Sequence, residues 1–225
     1  MKITILTLFP EVFEGFFSTS IPLLAKEKGL LDVNIINFRD YTTDKHHKCD
    51  DEPYGGGAGM VLKPEPLFKA LKSIDATSKR VIYPTPSGKL FNQSIAKELS
   101  NEKELVFIAG HYEGLDQRVI DAFVTDELSI GDYVLSSGET AILVMIDAIY
   151  RLIDGVISPA SLVEESFNDS LLEYPQYTRP QEYEGMRVPE VLLSGNHKQI
   201  NDWRYKKRLE KTIKNRIDLM SKNIN

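Results

Sequence analysis

The chain has 225 residues, of which 42% are hydrophobic and 27% are charged, and its formal net charge is −6. This composition is ordinary for a soluble globular protein, and the length suits one substantial domain or one domain with a small second one. No apolar run reaches the roughly 18 residues of a membrane-spanning helix. The single cysteine, Cys49, excludes an internal disulfide and fits a reducing cytoplasm.

The negative net charge argues at first against a nucleic-acid partner, but the charge is unevenly distributed. Residues 201–225 contain eight Lys or Arg and three Asp or Glu, a net charge of +5, which leaves −11 for residues 1–200. A local basic patch can bind phosphates on an acidic protein. Taken alone, such a run of charge is also typical of a solvated helix face.

The first elements alternate between strand and helix. Residues 2–8 predict a strand, Pro10 opens a helix through Phe16, and a second helix begins at Ser20 and ends at Gly29. Residues 31–38 predict the next strand. A strand, a helical crossover and another strand predict a parallel sheet and an α/β fold.

Residues 39–59 show no periodicity and predict a long, functional loop that faces a substrate. His46, His47 and Cys49 lie close together there, followed by two aspartates, but their spacing matches no standard zinc site. The loop ends in Pro-Tyr-Gly-Gly-Gly-Ala-Gly-Met at 53–60. This segment lacks the Gly-Lys-Ser/Thr ending of a phosphate-binding loop, which excludes a phosphate-loop nucleotide hydrolase and leaves a flexible turn as the simple interpretation.

The middle of the chain repeats the pattern of strand, glycine-bearing loop and helix. The predicted elements are a helix at 65–74, a strand at 80–84 with a loop at 83–88, a helix from the Asn92 cap to Leu99, a strand at 105–109, a loop at 110–114, a helix around 115–123, a strand-like run ending in 130–135, a turn at 136–139 and a helix at 138–153. Ligands bind at the carboxyl ends of strands in open α/β sheets, and glycines there let a ligand lie on the backbone. The residues alone therefore predict a small-molecule site made of loops, although three ordinary turns would give the same pattern.

The last third of the chain changes character. Residues 155–171 have no sustained pattern and predict a linker. From Tyr174 onward the sequence predicts a small helical unit, with a long helix capped by Asn196 and apolar residues at 209, 213, 217 and 220 on one face.

Three motifs together resemble the bacterial tRNA (guanine-N1)-methyltransferase family. They are PYGGGAGM at 53–60, GHYEGLDQRV from Gly110 and SIGDYVLSSGE from Ser129, and the resemblance runs to about Arg208. It implies a knotted methyltransferase that uses S-adenosylmethionine to methylate guanosine 37 of tRNA, beside the anticodon. The implied architecture is an α/β domain with a trefoil knot (residues 1–158), a linker (159–171) and a helical tRNA-binding domain (172–225).

The resemblance also implies the residues of the site. Those that would line the methyl-donor pocket are Tyr83, Pro86, Gly110, Tyr112, Glu113, Gly114, Ile130, Gly131, Tyr133, Leu135 and Gly138. Glu113 would supply negative charge near the sulfonium, and Gly59 matches a position associated with substrate recognition. The family usually has glycine where Ser137 stands, so we expect a tighter backbone approach at that point.

Methylation of guanine N1 requires a general base for the N1 proton and a cation beside O6, where negative charge develops. The family supplies an aspartate from the linker and an arginine at the end of the long helix. Arg151 matches the arginine, whose simpler interpretation is a helix C-terminal cation. Glu165 stands where the family has aspartate; we expect it to be the base, with Glu164 and Asp169 as alternatives, while a solvated acidic linker remains the simpler interpretation.

The resemblance further implies a dependence on Mg²⁺, although the sequence shows no dedicated metal site. It also implies a cytoplasmic homodimer whose active sites lie at the subunit interface. The alternative is a catalytically weak RNA- or nucleotide-binding protein that keeps the knotted fold, and the glutamate at 165 is its support.

Overall fold

The computed structural model describes residues 1–158, 161 and 165–221, and it divides into two compact units, Met1–Ile157 and Ser158–Asn225. Glu164, one of the alternative bases, lies outside the described residues. The finer division into residues 1–158, 159–171 and 172–225 stays a prediction. Across the described part of the chain, no helix combines the length and the apolar character needed to cross a bilayer.

A parallel sheet forms the centre of the first unit, which confirms the predicted α/β class. The strands are β1 (Lys2–Thr7), β2 (Asp32–Asn37), β3 (Asp50–Asp51), β4 (Val61–Leu62), β5 (Arg80–Leu90), β6 (Glu104–Ile108), β7 (Asp126–Ser129), β8 (Glu182–Tyr183) and β9 (Met186–Arg187). In the described residues, the main sheet has the order β2-β1-β6-β5-β7, and each of its pairs is parallel. The short strands pair as two antiparallel ribbons, β3 with β4 and β8 with β9.

In the first unit the α-helices connect the strands, and in the second unit they accompany the β8–β9 ribbon. They are α1 (Glu11–Phe17), α2 (Ser20–Glu27), α3 (Pro64–Ser73), α4 (Gln93–Leu99), α5 (Gln117–Phe123), α6 (Gly138–Tyr150), α7 (Glu190–Leu193), α8 (His197–Asn215) and α9 (Asp218–Ser221). The predicted cap at Asn92 is confirmed, because its side chain accepts hydrogen bonds from the N–H groups of Ser94 and Ile95. The side chain of Asn196 caps α8 in the same way through Gln199.

The sheet is buried on both faces because its strands carry apolar side chains in both directions. Along β6, Phe107 packs in one core cluster with Ile142 of α6, whereas Val106 and Ile108 pack in the other cluster with helices α3 and α5. Successive side chains of a strand point to opposite faces, so a continuous apolar run supplies two cores at once. This arrangement fixes the carboxyl ends of the strands, where the loops begin.

Three predicted boundaries were wrong. β5 does not end at residue 84 but continues to Leu90, because Pro84 and Lys89 both pair with Leu128 of β7 and residues 85–88 bulge out between them. The strand before α6 ends at Ser129 rather than near 135, and α6 ends at Tyr150 rather than at 153. The segment predicted as an unstructured loop contains a 3-10 helix at Phe38–Tyr41 and strand β3.

In the second unit, the segment before the β8–β9 ribbon is held against α8. Arg208 forms a bidentate ion pair with Asp169 and also donates to the carbonyl of Leu172, while the Leu172 N–H donates to the buried Thr212 hydroxyl at 2.9 Å. The apolar face predicted for the long helix is not buried at Ile213 and Ile217, which are 51% and 67% exposed. The helix itself ends at Asn215, before the second of these residues.

Candidate active site

A pocket of about 220 Å³ lies at the carboxyl ends of three neighbouring strands, β6, β5 and β7. The end of β5 and the loops that follow β6 and β7 form its walls, and the start of α6 closes it. It is lined by Tyr83, Pro84, Thr85, Pro86, Gly110, His111, Tyr112, Glu113, Gly114, Leu128, Ser129, Ile130, Gly131, Tyr133, Val134, Leu135, Ser136, Ser137, Gly138 and Ala141.

The structure brings all the residues predicted for the methyl donor around this one pocket. They come from three segments that are separated by up to 55 positions in the chain, between Tyr83 and Gly138. The lining residues that the prediction missed include His111, Val134 and Ser136, which lie between predicted residues in the quoted motifs and could have been included on that ground. The lining shows that the positions are neighbours; the role of each stays a prediction.

The loop between Gly110 and Gly114 is tightly built. The residue at its centre, Tyr112, has a φ of +56°. This value lies in the left-handed region, which residues other than glycine adopt at a cost of about 1–3 kcal/mol. Backbone hydrogen bonds hold the loop, from the N–H of Glu113 to the carbonyl of Met60 at 3.0 Å and from the N–H of Gly114 to that of His111 at 3.0 Å. Such strain persists only where the surroundings define the conformation, and the loop therefore presents Tyr112 and Glu113 in a defined way.

The side chain of Tyr83 packs against both glycines of this loop, Gly110 and Gly114. This side chain is buried, and its hydroxyl would lie 3.0 Å from a Cβ atom placed on Gly114. Burial raises the pKa of Tyr83, while a hydrogen bond to the backbone of Leu115 acts in the opposite direction. Tyr83 therefore stays protonated near neutral pH and provides a packing surface for the loop.

Two glycines allow close approaches that a side chain would prevent. A Cβ atom on Gly138 would lie 2.6 Å from the backbone nitrogen of Gly110, and the N–H of Gly138 donates to the Gly110 carbonyl at 2.8 Å. On the other wall, Gly131 has a φ of +152°, and a Cβ there would lie 2.4 Å from the ring of Tyr133. The start of α6 and the ring of Tyr133 can thus lie directly on backbone.

Ser137, where the family usually has glycine, is accommodated without strain. It is the N-cap of α6 and has a φ of −161°, an extended conformation open to any residue. The backbone conformation at 137 therefore does not require glycine.

The glycine-rich segment also contacts the pocket. Gly59 has a φ of +88°, and a Cβ atom on it would lie 2.3 Å from the Oε1 atom of Glu113. Gly59 does not line the pocket itself. Its position behind a lining carboxylate means that any side chain at 59 would displace Glu113.

A buried polar network lies beneath the loop. Glu139 is 1% exposed; it accepts a hydrogen bond from the hydroxyl of Thr7 at 2.6 Å and lies 2.9 Å from Nε2 of His111. Since a carboxylate only accepts, the imidazole donates through Nε2–H. No local pattern in the sequence predicts this network, because Thr7 and Glu139 are 132 positions apart.

The residues predicted for base and cation lie in different units. Arg151 is the half-buried C-cap residue of α6, and it does not line the pocket. Glu165 is half-buried in the second unit, where its carbonyl accepts from the N–H of Asn168 at 3.5 Å. Neither assignment is settled by this placement, and both stay predictions.

Asp169, an alternative base, is engaged elsewhere. Its hydrogen bonds with Arg208 hold its pKa below the ordinary value. A carboxylate with a lowered pKa that is already paired with a guanidinium is a weaker proton acceptor, which argues against Asp169 as the base.

Within the described residues there is no group of three or more His, Cys, Asp or Glu side chains arranged to hold a metal ion. His46, His47 and Cys49, considered for a zinc site, form no such group. The Mg²⁺ that the resemblance implies therefore has no ready-made site among these side chains, and we assign no step to it.

The chain is similar to known proteins over nearly its whole length. The model of the family described as tRNA (Guanine-1)-methyltransferase TrmD matches residues 1–222. Three curated relatives are named tRNA (guanine-N(1)-)-methyltransferase: those of Treponema denticola, Caldicellulosiruptor saccharolyticus and Macrococcus caseolyticus, which are 64%, 59% and 57% identical. The alignments cover 99%, 98% and 98% of this chain and 91%, 91% and 92% of the relatives. Matches of this extent, over a pocket whose lining carries the family's motifs, show that the chain belongs to the tRNA (guanine-N1)-methyltransferase TrmD family.

Proposed function

We propose that this protein transfers a methyl group from S-adenosylmethionine to N1 of guanosine 37 in tRNA. The observation that carries the proposal is the pocket at the strand ends, which is lined by the residues that the family resemblance implies for the methyl donor. The relatives of this chain are named for methylation of guanine N1 in tRNA. The donor and the position in tRNA go beyond those names and are part of the proposal.

The pocket suits a donor that joins an adenine to a sulfonium cation. The backbone of the loops after β6 and β7 borders the pocket and can meet the edge of a base, and the glycines let it approach closely. The carboxylate of Glu113 supplies negative charge at the same wall. When bound, the donor supplies an electrophilic methyl group on its sulfur.

The chain must then remove the N1 proton of guanine. We assign this step to Glu165, whose carboxylate would accept the proton while the N1 lone pair forms the bond to the methyl carbon and the carbon–sulfur bond breaks, which would leave a neutral thioether. As the proton leaves, negative charge moves to O6, and the guanidinium of Arg151 would stabilise it there.

Recognition of tRNA is assigned to the second unit. Helix α8 carries much of the local net charge of +5, with Lys206 and Lys214 exposed on it. A second pocket, of about 170 Å³, is lined by Tyr174, Asn201, Arg204, Tyr205 and Arg208. Arg204 and two tyrosines beside a cleft could contact a phosphate backbone, and such binding would explain how an acidic chain can hold RNA.

The remaining expectations complete the proposal. The protein would work as a cytoplasmic homodimer, with each site formed by the pocket of one subunit and the second unit of the other. The trefoil knot and the dependence on Mg²⁺ are likewise carried over from the family resemblance.

The alternative is a catalytically weak RNA- or nucleotide-binding protein. The glutamate at 165 favours it, since one extra methylene displaces the carboxylate by about 1 Å, and such a displacement can cost on the order of a hundredfold in rate. Binding of the donor without methyl transfer would support this alternative.

Transfer of labelled methyl from S-adenosylmethionine to an unmodified tRNA transcript tests the proposal. One transcript carries guanosines at 36 and 37, and a matched one carries adenosine at 37; both are assayed with and without Mg²⁺. We expect label on the first alone. No label on either, with measurable donor binding, would overturn the proposal in favour of the alternative.

A further inference from the structure

We propose that Glu139 is a positioning residue for the methyl-donor pocket and that it acts through His111, an inference that rests on the proposed function. Glu139 does not line the pocket, whereas His111 does. The carboxylate therefore acts on the donor only through the side chain that it holds.

The carboxylate itself is fixed from the other side. The hydroxyl of Thr7, a fully buried residue at the end of β1, donates to Oε1 of Glu139 at 2.6 Å. The same hydroxyl oxygen accepts from the N–H of Phe9 at 2.9 Å, so its one hydrogen is directed at Glu139. One carboxylate oxygen of Glu139 thus accepts a hydrogen bond from Thr7 of β1, and the other lies within hydrogen-bond distance of His111.

The imidazole has aromatic neighbours as well as the hydrogen bond at Nε2. The ring of Phe9 lies tilted by 48° to that of His111 with 4.9 Å between centroids, and the ring of Tyr112 lies edge-on at 5.9 Å. The hydrogen bond to Glu139 and these two rings together restrict the orientation of His111.

Two consecutive residues of α6 hold two consecutive residues of the pocket loop. Gly138 bonds to the backbone of Gly110, and Glu139 bonds to the side chain of His111. The next residue of the loop is Tyr112, in its left-handed conformation, and then comes Glu113. The anchor lies directly before the strained residue, where loss of a restraint would let the loop relax away from the pocket.

A core network that only stabilises the fold would show the same contacts, and ligand affinity separates the two roles. In Glu139→Gln the amide keeps the size of the side chain, but it can offer only one carbonyl oxygen to two donors. We expect the dissociation constant of S-adenosylhomocysteine, measured by calorimetry, and the KM of S-adenosylmethionine to rise about tenfold, with the KM of tRNA unchanged. Glu11→Gln, another first-turn acid but an exposed one on α1, is the matched control and should bind as the parent does.

The variants of His111 test whether the two residues act as one unit. His111→Gln can still donate to Glu139 and should retain more affinity than His111→Ala. The double variant His111→Ala/Glu139→Gln should bind no more weakly than His111→Ala alone, because the second change removes a contact that is already lost.

The outcomes separate this inference from the proposed function. If the parent binds S-adenosylhomocysteine and Glu139→Gln binds equally well while its thermal stability falls, Glu139 is a stabilising core residue and the inference is overturned. Additive effects in the double variant would overturn it too. If Glu139→Gln fails to fold, the comparison of His111→Gln with His111→Ala decides the matter, and equal affinities would overturn the inference. A parent that binds neither S-adenosylhomocysteine nor S-adenosylmethionine would overturn the proposed function and the inference with it.

Discussion

At the scale of single residues, the pocket depends on places where backbone meets backbone. Gly138 is the clearest case, since it has no unusual φ and is glycine only because Gly110 lies against it. A methyl group there would have to displace main chain rather than a flexible side chain. The cost falls on the loop that carries Tyr112 and Glu113.

Gly138→Ala should therefore destabilise the protein by about 1–3 kcal/mol, the usual cost of overpacking. The same shift should weaken binding of S-adenosylhomocysteine at least about tenfold, because the loop after β6 moves away from its place. Urea unfolding and calorimetry measure the two effects.

Gly15→Ala is the control for Gly138→Ala. Gly15 lies inside α1, and nothing lies within 4 Å of a Cβ atom placed on it. This change should stabilise the protein by about 0.5–1 kcal/mol and leave ligand binding unchanged. If the two alanine variants behaved alike, the close approach at Gly138 would not be what requires glycine.

Glu165 gives a second prediction at this scale. Glu165→Gln keeps the shape of the side chain but cannot accept a proton, so methyl transfer in single-turnover assays should fall at least about a hundredfold. Binding of S-adenosylhomocysteine should not change, since Glu165 is not among the residues that line the donor pocket.

Glu165→Asp is the informative companion to Glu165→Gln. It restores the residue that the family resemblance implies and should retain more methyl transfer than Glu165→Gln, because a base is kept and only its reach changes. Equal rates for Glu165→Gln and the parent would show that another group removes the proton.

At the scale of elements, an ion-pair cluster joins the amino ends of β5 and β7. Arg80 donates to Asp126 through Nε at 2.9 Å and through Nη2 at 2.7 Å, and its Nη1 lies 2.7 Å from Glu98 and 3.4 Å from Glu102. Asp126 is 18% exposed, so solvent screens this pair only in part. The cluster lies at the amino ends of the strands, whereas the pocket lies at their carboxyl ends.

This cluster predicts a pH dependence of stability. The hydrogen bonds from Arg80 hold the pKa of Asp126 below its ordinary value, which is about 3.9 in an unfolded chain. A carboxyl whose pKa is lowered by folding stabilises the protein above its unfolded pKa, and that stability is lost as the pH falls through the folded pKa. Asp126→Asn should thus cost about 1–3 kcal/mol at pH 7, and its difference from the parent should shrink below about pH 4.

Urea unfolding between pH 2.5 and pH 7 measures this difference. Glu65→Gln, which removes the exposed pair with Lys69 on α3, is the control and should change stability much less. A deficit of Asp126→Asn that stayed constant down to the lowest pH would contradict the assigned role of the ion pair.

The elements with strong periodicity could be predicted from the sequence. The run from Leu105 to Ala109 gave β6, and Asn92 marked the start of α4, because burial and capping are local in sequence. The extension of β5 to Leu90 was missed, since it depends on pairing with Leu128 of β7. The β8–β9 ribbon was missed because two-residue strands carry no pattern of their own.

The candidate site divides in the same way. Its lining was anticipated from the motifs around Gly110, Gly131 and Gly138, and strand-end loops are where physical reasoning also places a ligand. The Thr7–Glu139–His111 network was not predicted, because the end of β1 and the start of α6 come together only in the folded chain. No local window of sequence contains both partners.

At the scale of the whole molecule, the proposed dimer makes a prediction about mixed subunits. Glu113→Gln alters the pocket, and Glu165→Gln alters the second unit, so each homodimer should be nearly inactive. In a mixed dimer with sites shared between subunits, one site carries both changes and the other carries neither. Random mixing should restore about a quarter of the parent's methyl transfer.

Mixing requires exchange of subunits, for example by co-expression with two different affinity tags. Co-expression of two tagged copies of the same variant is the control and should restore nothing. A mixed preparation no more active than its components would show that each site is built within one subunit.

The central claim is methylation of guanine N1 in tRNA, and identification of the product tests it most directly. Unmodified tRNA with guanosines at 36 and 37 would be incubated with the protein and S-adenosylmethionine, digested to nucleosides and analysed by mass spectrometry against authentic standards. Our account predicts 1-methylguanosine at position 37, absent from reactions with the adenosine-37 transcript. A methyl group on another atom or nucleoside, or no methylated nucleoside from a protein that binds the donor, would contradict it.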